Sequence, residues 1–364
     1  MANYPVIKLR PGKDQSLGRF HPWVFSGAIA SMPKGIEEGD LVSVVAADGR
    51  HIGVGHYQIG SITVRMLEFG GEDTEIGSEF YARRLADALR LRQALGLDRE
   101  DNNMYRLVHG EGDFLPGLVV DVYGHTAVIQ AHSPGMHFAR MTIADELTKL
   151  PGMPVANVFY KSETTLPYKA GLDPVDQYII GHYDGSVATE NGLQFNIDWL
   201  KGQKTGFFVD QRDNRALLGQ YAHGRRVLNM FCYTGGFSVY ALRGGAVSVD
   251  SVDSSAKAIA LTEANVALNF GDDCSNHRAY AQDAFKFLDA MEDGAYDLII
   301  LDPPAFAKHR GAVANALRGY QRLNARAMAK AAPGTIMFTF SCSQAVSREQ
   351  FRLAVFSAAA QTGR

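Results

Sequence analysis

Residues 225–245, RRVLNMFCYTGGFSVYALRGG, decide how the second half of the chain folds. The apolar run VLNMFC has the length of a buried strand, and FSVYALR has the composition of a helix. Between them, Thr234, Gly235 and Gly236 predict a tight turn into a helix N-terminus, where free N–H groups and an approachable backbone favour a ligand. The spacing is not the G-x-G-x-x-G of dinucleotide-binding proteins, and many α/β turns need a glycine for geometry only.

The alternation of strand and helix continues towards the C-terminus. VSVDSVD, YDLIILDPP and TIMFTFSCS are short apolar runs, and helix-like segments such as SAKAIALTEANVALNF separate them. From about residue 187, this pattern predicts an α/β domain with a mostly parallel sheet and helices on both faces. Ligands bind such sheets at the carboxyl ends of the strands, so the residues directly after each strand are the candidates for chemistry.

Acidic residues stand at two of these strand ends. Asp253 follows the glycine turn by about twenty residues and could accept hydrogen bonds from a ribose diol. Asp283, at the next strand end, could accept one from an adenine amino group. Each aspartate could instead be the N-cap of a helix. With the glycine turn and no lysine-bearing phosphate loop, they predict a site for a nucleoside without a phosphate chain.

The next strand ends in LIILDPPAF, residues 298–306. Pro303 and Pro304 fix the backbone just past the strand and supply no N–H donors. Such a loop can hold Asp302 and a carbonyl group against a flat ring, on which Phe306 could stack. The same loop could also be an ordinary end of a strand.

The last strand ends at Cys342, in TFSCSQ (339–344). A free cysteine is usually a small core residue. If this strand lies beside the one that ends at Asp302, the two side chains share one sheet edge, and a thiol there can attack a ring carbon of a pyrimidine.

The first half of the chain predicts two further domains. VIKLR, LVSVVAADGRHIGVGHY and SITVRML cluster strand-forming residues around Gly and Asp-Gly turns, which favours a small barrel over residues 1–73. A strong helix at 78–97 and several strands then predict an α+β middle domain over 74–186, followed by the α/β domain over 187–364.

A basic segment opens the predicted barrel. It contains Lys8, Arg10, Lys13 and Arg19, and the aromatic-rich RFHPWVF overlaps its end. Basic side chains beside exposed aromatics suit phosphate contact and base stacking. The alternative is that Trp23 and Phe25 fill the barrel and the charges form a solvated face.

Composition restricts the class of protein. The 364 residues carry a net charge of −3, so nucleic acid binding would depend on local basic patches. The three cysteines form neither a zinc pattern nor a disulfide framework, and we expect no metal. The N-terminus has no signal-peptide core and no apolar run approaches a membrane span, so we predict a cytoplasmic protein without a membrane partner.

Together these motifs resemble the class I S-adenosylmethionine-dependent methyltransferases that make 5-methylcytosine in bacterial 23S (large-subunit) ribosomal RNA. The segments GRFHPWVFSGAI and VHGEGDFLPGLVVDVYG resemble that family's PUA domain and middle domain, respectively. Its methyltransferase motifs are matched by KTGFFVDQRDNR, NMFCYTGGFS, SVDSSAKAI, DPPAF and SCS. The resemblance implies a Rossmann-like α/β methyltransferase domain with a mostly parallel sheet, preceded by a small β-barrel PUA domain and a small α+β domain.

The resemblance also implies a cofactor, S-adenosyl-L-methionine, and residues that bind it. Asp253 would bind the ribose and Asp283 the adenine, while Asp302 would contribute to both the cofactor site and catalysis. Asn229 stands where many methyltransferases have an acid. The methionine part would be held by Phe231, Tyr233, Thr234 and Gly235, and the stretch closing over the cofactor would include Phe207, Gln211 and Arg212.

The chemistry implied by the resemblance is covalent. Cys342 would add to carbon 6 of a cytosine, Asp302 would steady the ring, and a methyl group would then be accepted at carbon 5. The partner would be large-subunit ribosomal RNA. The base that removes the carbon-5 proton is not identifiable from the sequence. Members of that family often form dimers, which makes a homodimer compatible with the sequence.

Other functions stay open. A DPP loop with an aromatic residue also serves methylation of a base nitrogen, which needs no cysteine, and uracil carbon 5 is another target. A non-catalytic RNA-binding assembly factor could keep the same fold. The resemblance also leads us to expect one more strand pair after Arg364, without which the strand before Cys342 would be an exposed edge. Our hypothesis is that the chain is truncated there.

Overall fold

The structure of the protein is a computed structural model that describes residues 4–70, 74–167, 170–307 and 309–364. The chain divides into two units. The first comprises Met1–Gly192 and Ile197–Val209, and the second comprises Leu193–Asn196 and Asp210–Arg364. The division into three domains stays a prediction, and its boundary at residue 73 lies outside the described residues.

The first unit begins with a six-stranded sheet in the order β2-β6-β5-β4-β1-β3. Side chains alternate along β1, where Ile7 and Leu9 are buried while Val6 and Lys8 are exposed. This alternation gives the sheet one apolar face, which packs into a core with residues such as Val44. The strands are β1 (Val6–Leu9), β2 (Trp23–Phe25), β3 (Ile29–Ser31), β4 (Leu41–Val45), β5 (His51–Tyr57) and β6 (Ile62–Phe69).

The rest of the first unit is an α+β arrangement with a five-stranded sheet in the order β11-β10-β9-β8-β7. Leu85 on the first helix and Val120 and Ile129 on the sheet are fully buried in a common core. The elements are α1 (Ser78–Ala94), β7 (Met104–His109), β8 (Leu118–Tyr123), β9 (Thr126–Ala131), α2 (Pro134–Phe138), α3 (Arg140–Thr148), β10 (Asn157–Tyr160), β11 (Gln177–Ile180) and β12 (Val187–Glu190).

The second unit contains the parallel sheet that the sequence predicted. Its order is β16-β15-β14-β17-β18, and every neighbouring pair is parallel. The elements are β13 (Leu193–Asn196), α4 (Arg212–Tyr221), β14 (Arg226–Met230), α5 (Gly236–Arg243), β15 (Ser248–Asp253), α6 (Ala256–Phe270), β16 (His277–Ala281), α7 (Ala284–Ala290), β17 (Leu298–Leu301), α8 (Val313–Lys330), β18 (Ile336–Thr339) and α9 (Arg348–Gln361).

The central strands of this sheet are buried on both faces. All four residues of β17 are fully buried, as are Leu228 and Met230 of β14. Such strands read as continuous apolar runs because helices cover both sides. The chain order reverses between β14 and β17, which is the point where open α/β sheets bind ligands. Within the described part of the chain, no helix is long and apolar enough to cross a membrane.

Candidate active site

The loop after β14 has an unusual backbone. Phe231, Tyr233 and Gly235 all have positive φ angles, of 60°, 51° and 76°. A Cβ atom on Gly235 would lie 2.6 Å from Cγ2 of Thr262, so only glycine fits there without displacement. Positive φ at two aromatic residues is uncommon and is typical of binding loops whose surroundings hold the strain.

Side chains of α6 hold this loop in place. Thr262 Oγ1 donates a hydrogen bond to the carbonyl oxygen of Tyr233 at 3.0 Å. Asn265 Nδ2 donates to the carbonyl oxygen of Thr234 at 2.8 Å. Both side chains are fully buried, and no sequence motif marks either of them, because each acts across the fold on a backbone atom.

Asp253, at the end of β15, is bonded to the same loop. Its Oδ2 accepts a hydrogen bond from the N–H group of Tyr233 at 3.1 Å, and its Oδ1 accepts one from Ser255 at 2.9 Å. The half-buried carboxylate is therefore oriented by two backbone donors and keeps lone pairs for a hydroxyl group. A ribose contact at Asp253 fits this arrangement.

Asp283 caps a helix. Its Oδ1 accepts a hydrogen bond from the N–H group of Lys286 at 3.0 Å, which makes it the N-cap of α7. The residue is exposed, and its second oxygen is not engaged by the cap. The helix-cap alternative from the sequence is thus present, and the adenine contact stays a prediction.

Asn229 lies inside the sheet in a chain of polar side chains. Its Nδ2 donates to Ser238 Oγ at 2.8 Å, Ser238 Oγ lies 2.7 Å from Ser251 Oγ, and that oxygen lies 2.8 Å from His277 Nε2. Burial lowers the pKa of His277, which favours a neutral imidazole at the end of this row of hydrogen-bonded side chains. Asn229 is fully buried, and its cofactor role stays a prediction.

Asp302, directly after β17, is an unusual carboxyl group. Burial, followed by repulsion from Asp210, raises its pKa to about 6. Its Oδ2 accepts a hydrogen bond from Gln211 Nε2 at 3.2 Å, and Asn214 Nδ2 in turn donates to Gln211 Oε1 at 2.5 Å. The structure thus brings together two predicted site residues, Gln211 and Asp302. A raised pKa at the carboxyl end of a parallel strand, where such sheets bind ligands, is typical of functional carboxyl groups.

Cys342 lies beside the loop of Asp302. Strands β17 and β18 are neighbours, as the sequence analysis required, with Leu301 paired to Thr339. The N–H group of Phe340 donates to the carbonyl oxygen of Leu301 at 2.9 Å, which extends the pairing past the strand. Cys342 is exposed, and its Sγ lies 3.7 Å from the carbonyl oxygen of Pro303, to which the thiol donates.

The other residues of the loop after β17 differ in exposure. Pro303 is buried and Pro304 is exposed. Phe306 is half-buried, and its ring packs on Tyr320 with centroids 4.7 Å apart. The stacking of Phe306 on a base stays a prediction. Sequence reasoning missed Tyr320, which lies in the middle of α8 and has no local motif.

The remaining predicted cofactor residues are Arg212 and Phe207. Arg212 is the first residue of that helix, and its Nε lies 3.3 Å from Oδ1 of Asp213. Phe207 belongs to the first unit, where it is buried and its carbonyl oxygen accepts a hydrogen bond from Tyr123 Oη at 3.5 Å. Their contacts with a cofactor stay predictions.

The predicted basic residues of the first unit are all at its surface: Lys8, Arg10, Lys13 and Arg19. The aromatic residues beside them are divided. Trp23 is half-buried and its Nε1 donates to Glu111 Oε1 at 2.8 Å, whereas Phe25 is 48% exposed. Their rings meet edge to face, 6.2 Å apart. Phe25 and Phe20, which is 63% exposed, are therefore the phenyl rings of this segment that are available for stacking.

The second unit's strand ends suit a nucleoside with an amino-acid tail. The positive-φ backbone of the β14 loop and the oriented carboxylate of Asp253 fit S-adenosylmethionine. Among the described residues, no group of three or more His, Cys, Asp or Glu side chains could hold a metal ion.

Comparisons with known proteins point the same way. Residues 172–356 match the S-adenosylmethionine-dependent methyltransferase family, and residues 7–69 match the PUA-like domain. A protein of Shewanella amazonensis named "Ribosomal RNA large subunit methyltransferase I" is 39% identical over 98% of this chain and 90% of its own length.

Two solved structures share the fold. A structure from Streptococcus mutans described as a SAM-dependent methyltransferase has a TM-score of 0.79 at 20% identity, over 97% of this chain and 90% of its own. A methyltransferase structure complexed with SAH has the same TM-score and identity, over 97% of this chain and 89% of its own.

Proposed function

Because this chain belongs to the S-adenosylmethionine-dependent methyltransferases, we propose that it methylates carbon 5 of a cytosine in large-subunit ribosomal RNA through a transient bond to Cys342. The observation that carries the proposal is the position of an exposed thiol beside the loop of Asp302. The Sγ atom of Cys342 lies 3.7 Å from the carbonyl oxygen of Pro303, the residue after that aspartate.

A cysteine nucleophile overcomes the low reactivity of carbon 5 of cytosine. Carbon 5 of cytosine is a poor nucleophile. The Cys342 thiol first loses its proton to a base. When the thiolate sulfur then bonds to carbon 6, the electron pair of the 5,6 double bond becomes available at carbon 5, as in an enamine. S-adenosylmethionine, when bound, supplies an electrophilic methyl group. After carbon 5 has gained the methyl group, its proton leaves to a base, the double bond re-forms and the carbon–sulfur bond breaks.

Asp302 favours cytosine over uracil. With a pKa of about 6, its carboxyl group is mostly ionised at neutral pH and is then only an acceptor. Cytosine presents an amino group at carbon 4, whereas uracil presents a carbonyl oxygen that an ionised carboxylate repels. An unpaired acceptor in a buried site disfavours the wrong base strongly.

Ribosomal RNA as substrate is supported by the first unit and by the relatives. The PUA-like match covers residues 7–69, which include the exposed Lys8 on β1 and the exposed Lys13 in the loop after it. Exposed cations bind phosphate groups without reading sequence, so they suit a large RNA. The Shewanella relative is named as a methyltransferase of the large ribosomal subunit RNA.

A product assay tests the proposal. The protein is incubated with methyl-labelled S-adenosylmethionine and unmodified ribosomal RNA, and the RNA is digested for nucleoside mass spectrometry. We expect label in 5-methylcytidine. Label in a base methylated on nitrogen, or in 5-methyluridine, would support one of the other methyltransferase functions, and an absence of both label and cofactor binding would support a non-catalytic RNA-binding protein.

A further inference from the structure

The hydroxyl group of Tyr320 joins the two sides of the Cys342 loop. Tyr320 lies on α8 and is fully buried. Its Oη accepts a hydrogen bond from Ser341 Oγ at 2.9 Å and lies 2.8 Å from Ser343 Oγ. These serines are the residues directly before and after Cys342. One buried hydroxyl group therefore holds the chain on both sides of the thiol.

Ser343 extends this connection to the loop that begins at Asp302. Its Oγ accepts a hydrogen bond from the N–H group of Ala307 at 3.1 Å. The ring of Tyr320 packs on Phe306, in that same loop, with centroids 4.7 Å apart. A single side chain of α8 thus contacts the loops after both β17 and β18.

The hydrogen bonds can be assigned without conflict. Ser341 donates to Tyr320, Tyr320 donates to Ser343, and the N–H group of Ala307 donates to the same Ser343 oxygen. Packing against Phe306 needs only an aromatic ring, and a buried hydroxyl group is unfavourable unless it is bonded. The hydrogen bonds to the two serines, and not packing in the core, therefore account for a hydroxyl group at this position.

We propose that Tyr320 is a positioning residue that fixes the thiol of Cys342 relative to the loop of Asp302. This inference rests on the proposed function, in which Cys342 is the nucleophile. Cys342 needs such support because β18 ends at Thr339, three residues earlier, and the thiol is carried by a loop. A displacement of about 1 Å at a reacting group can lower a rate by about 100-fold.

The test is Tyr320→Phe, which keeps the ring and removes the hydroxyl group. We expect kcat to fall roughly 10- to 100-fold, while the KM for RNA and the dissociation constant of S-adenosylmethionine change less than about twofold. The matched control is Tyr296→Phe, which removes a buried hydroxyl group that donates to Asp250 Oδ2 at 2.6 Å. Tyr296 precedes the amino end of β17, which is the end opposite Asp302. The kcat of the Tyr296→Phe variant should therefore be unchanged.

A double-mutant cycle with Ser343→Ala tests the route. If Tyr320 acts through Ser343, the kcat of the double variant should be little lower than that of the less active single variant. A normal kcat in Tyr320→Phe, an equal loss in Tyr296→Phe, or losses that multiply would each overturn the positioning role. Should Tyr320→Phe fail to fold, the Ser341→Ala and Ser343→Ala double variant repeats the test with the ring in place, and a normal kcat there would again overturn it.

Failure of this inference can be told from failure of the proposed function. A wild-type product other than 5-methylcytidine, or a fully active Cys342→Ala variant, would overturn the proposed function. A wild-type product of 5-methylcytidine together with a normal kcat in Tyr320→Phe would overturn only the role of Tyr320.

Discussion

Three loops follow strands of the same sheet, but the loop after β14 is held in place differently from the loops after β17 and β18. The β14 loop depends on backbone conformation, with positive φ at Phe231, Tyr233 and Gly235. The β17 and β18 loops depend on side chains, with Tyr320 bonded to the residues beside Cys342. The first loop faces the proposed cofactor site and the other two carry the proposed chemistry.

This difference has a physical reason. A cofactor that is the same in every turnover can be bound by a rigid backbone surface, whose shape needs glycine and tolerates few substitutions. A thiol that must form and break a bond needs placement to a fraction of an ångström, which buried hydrogen bonds provide. Changes in the two places should therefore affect different quantities, namely cofactor affinity and kcat.

Cys342→Ala should have the largest effect. Removing a covalent nucleophile leaves only binding and positioning, so we expect kcat to fall by more than ~10⁴-fold. Affinity for S-adenosylmethionine, measured by calorimetry, should be unchanged, because the β14 loop is intact. Cys274→Ala is the control, because Cys274 lies outside these loops. Residual 5-methylcytidine formation within tenfold of wild type would contradict the prediction.

Asp302→Asn should have the next largest effect. It should lower the activity and raise the stability of the fold. The amide cannot reproduce the ionised acceptor, so we expect kcat/KM to fall about 100-fold at pH 8. For the wild type, kcat/KM should rise between pH 5 and 7 with a midpoint near the pKa of about 6, and the variant should lack this step. A wild-type profile that is flat over this range would contradict the role of the ionised form.

The stability effect follows from the direction of the pKa shift. The pKa of Asp302 is raised from 3.8 to about 6 in the folded chain, so ionisation becomes increasingly unfavourable to the fold as the pH rises between these values. Above pH 6 the full penalty is present, about 3 kcal/mol. Asp302→Asn should therefore raise the thermal midpoint by roughly 6–12 °C at pH 8. The gain should shrink as the pH falls towards 4, and an equal gain at both pH values would contradict the cause.

The sequence predicted the parallel sheet well, because its strands depend on local signals, whereas the function of its carboxyl edge stays a prediction. The apolar runs of β14, β17 and β18 are long enough to be strands, and the residues after them were found by position alone. The same logic placed Asp302 beside Cys342 once their strands were taken as neighbours, which the pairing of β17 with β18 confirms.

The supports of the site could not be predicted in this way. Thr262 and Asn265 lie in a helix whose pattern explains them as ordinary helical residues, although each bonds to the β14 loop. Tyr320 likewise fits the apolar face of α8. Positive φ at Phe231 and Tyr233 has no sequence signal, because aromatic residues rarely adopt it. These contacts exist only between segments that are distant in sequence.

Gly235→Ala should have a moderate effect, confined to the cofactor. The new Cβ would lie 2.6 Å from Thr262 Cγ2 and would need a positive φ, so the β14 loop must shift. We expect the dissociation constant of S-adenosylmethionine to rise about tenfold or more, which corresponds to 1–3 kcal/mol of strain. Gly224→Ala is the control, since Gly224 also has a positive φ but has no atom within 4 Å of the added Cβ. Equal affinity losses in both variants would show that the close approach to Thr262 is unimportant.

The smallest effect is expected where neither kind of support operates, at the basic surface of the first unit. Lys8 and Lys13 are exposed side chains, so Lys8→Ala with Lys13→Ala should weaken RNA binding only several-fold. Each lost phosphate contact should lower the slope of log affinity against log salt by about 0.9, or about 2 for the pair, measured by fluorescence anisotropy between 50 and 200 mM salt. Lys34→Ala, also exposed and outside the predicted patch, should leave the slope unchanged. Because the role proposed for these side chains is to bind phosphate and not to orient the reacting groups, kcat at saturating RNA should stay at the wild-type value. A fall in kcat would mean that this surface also helps to place the cytosine.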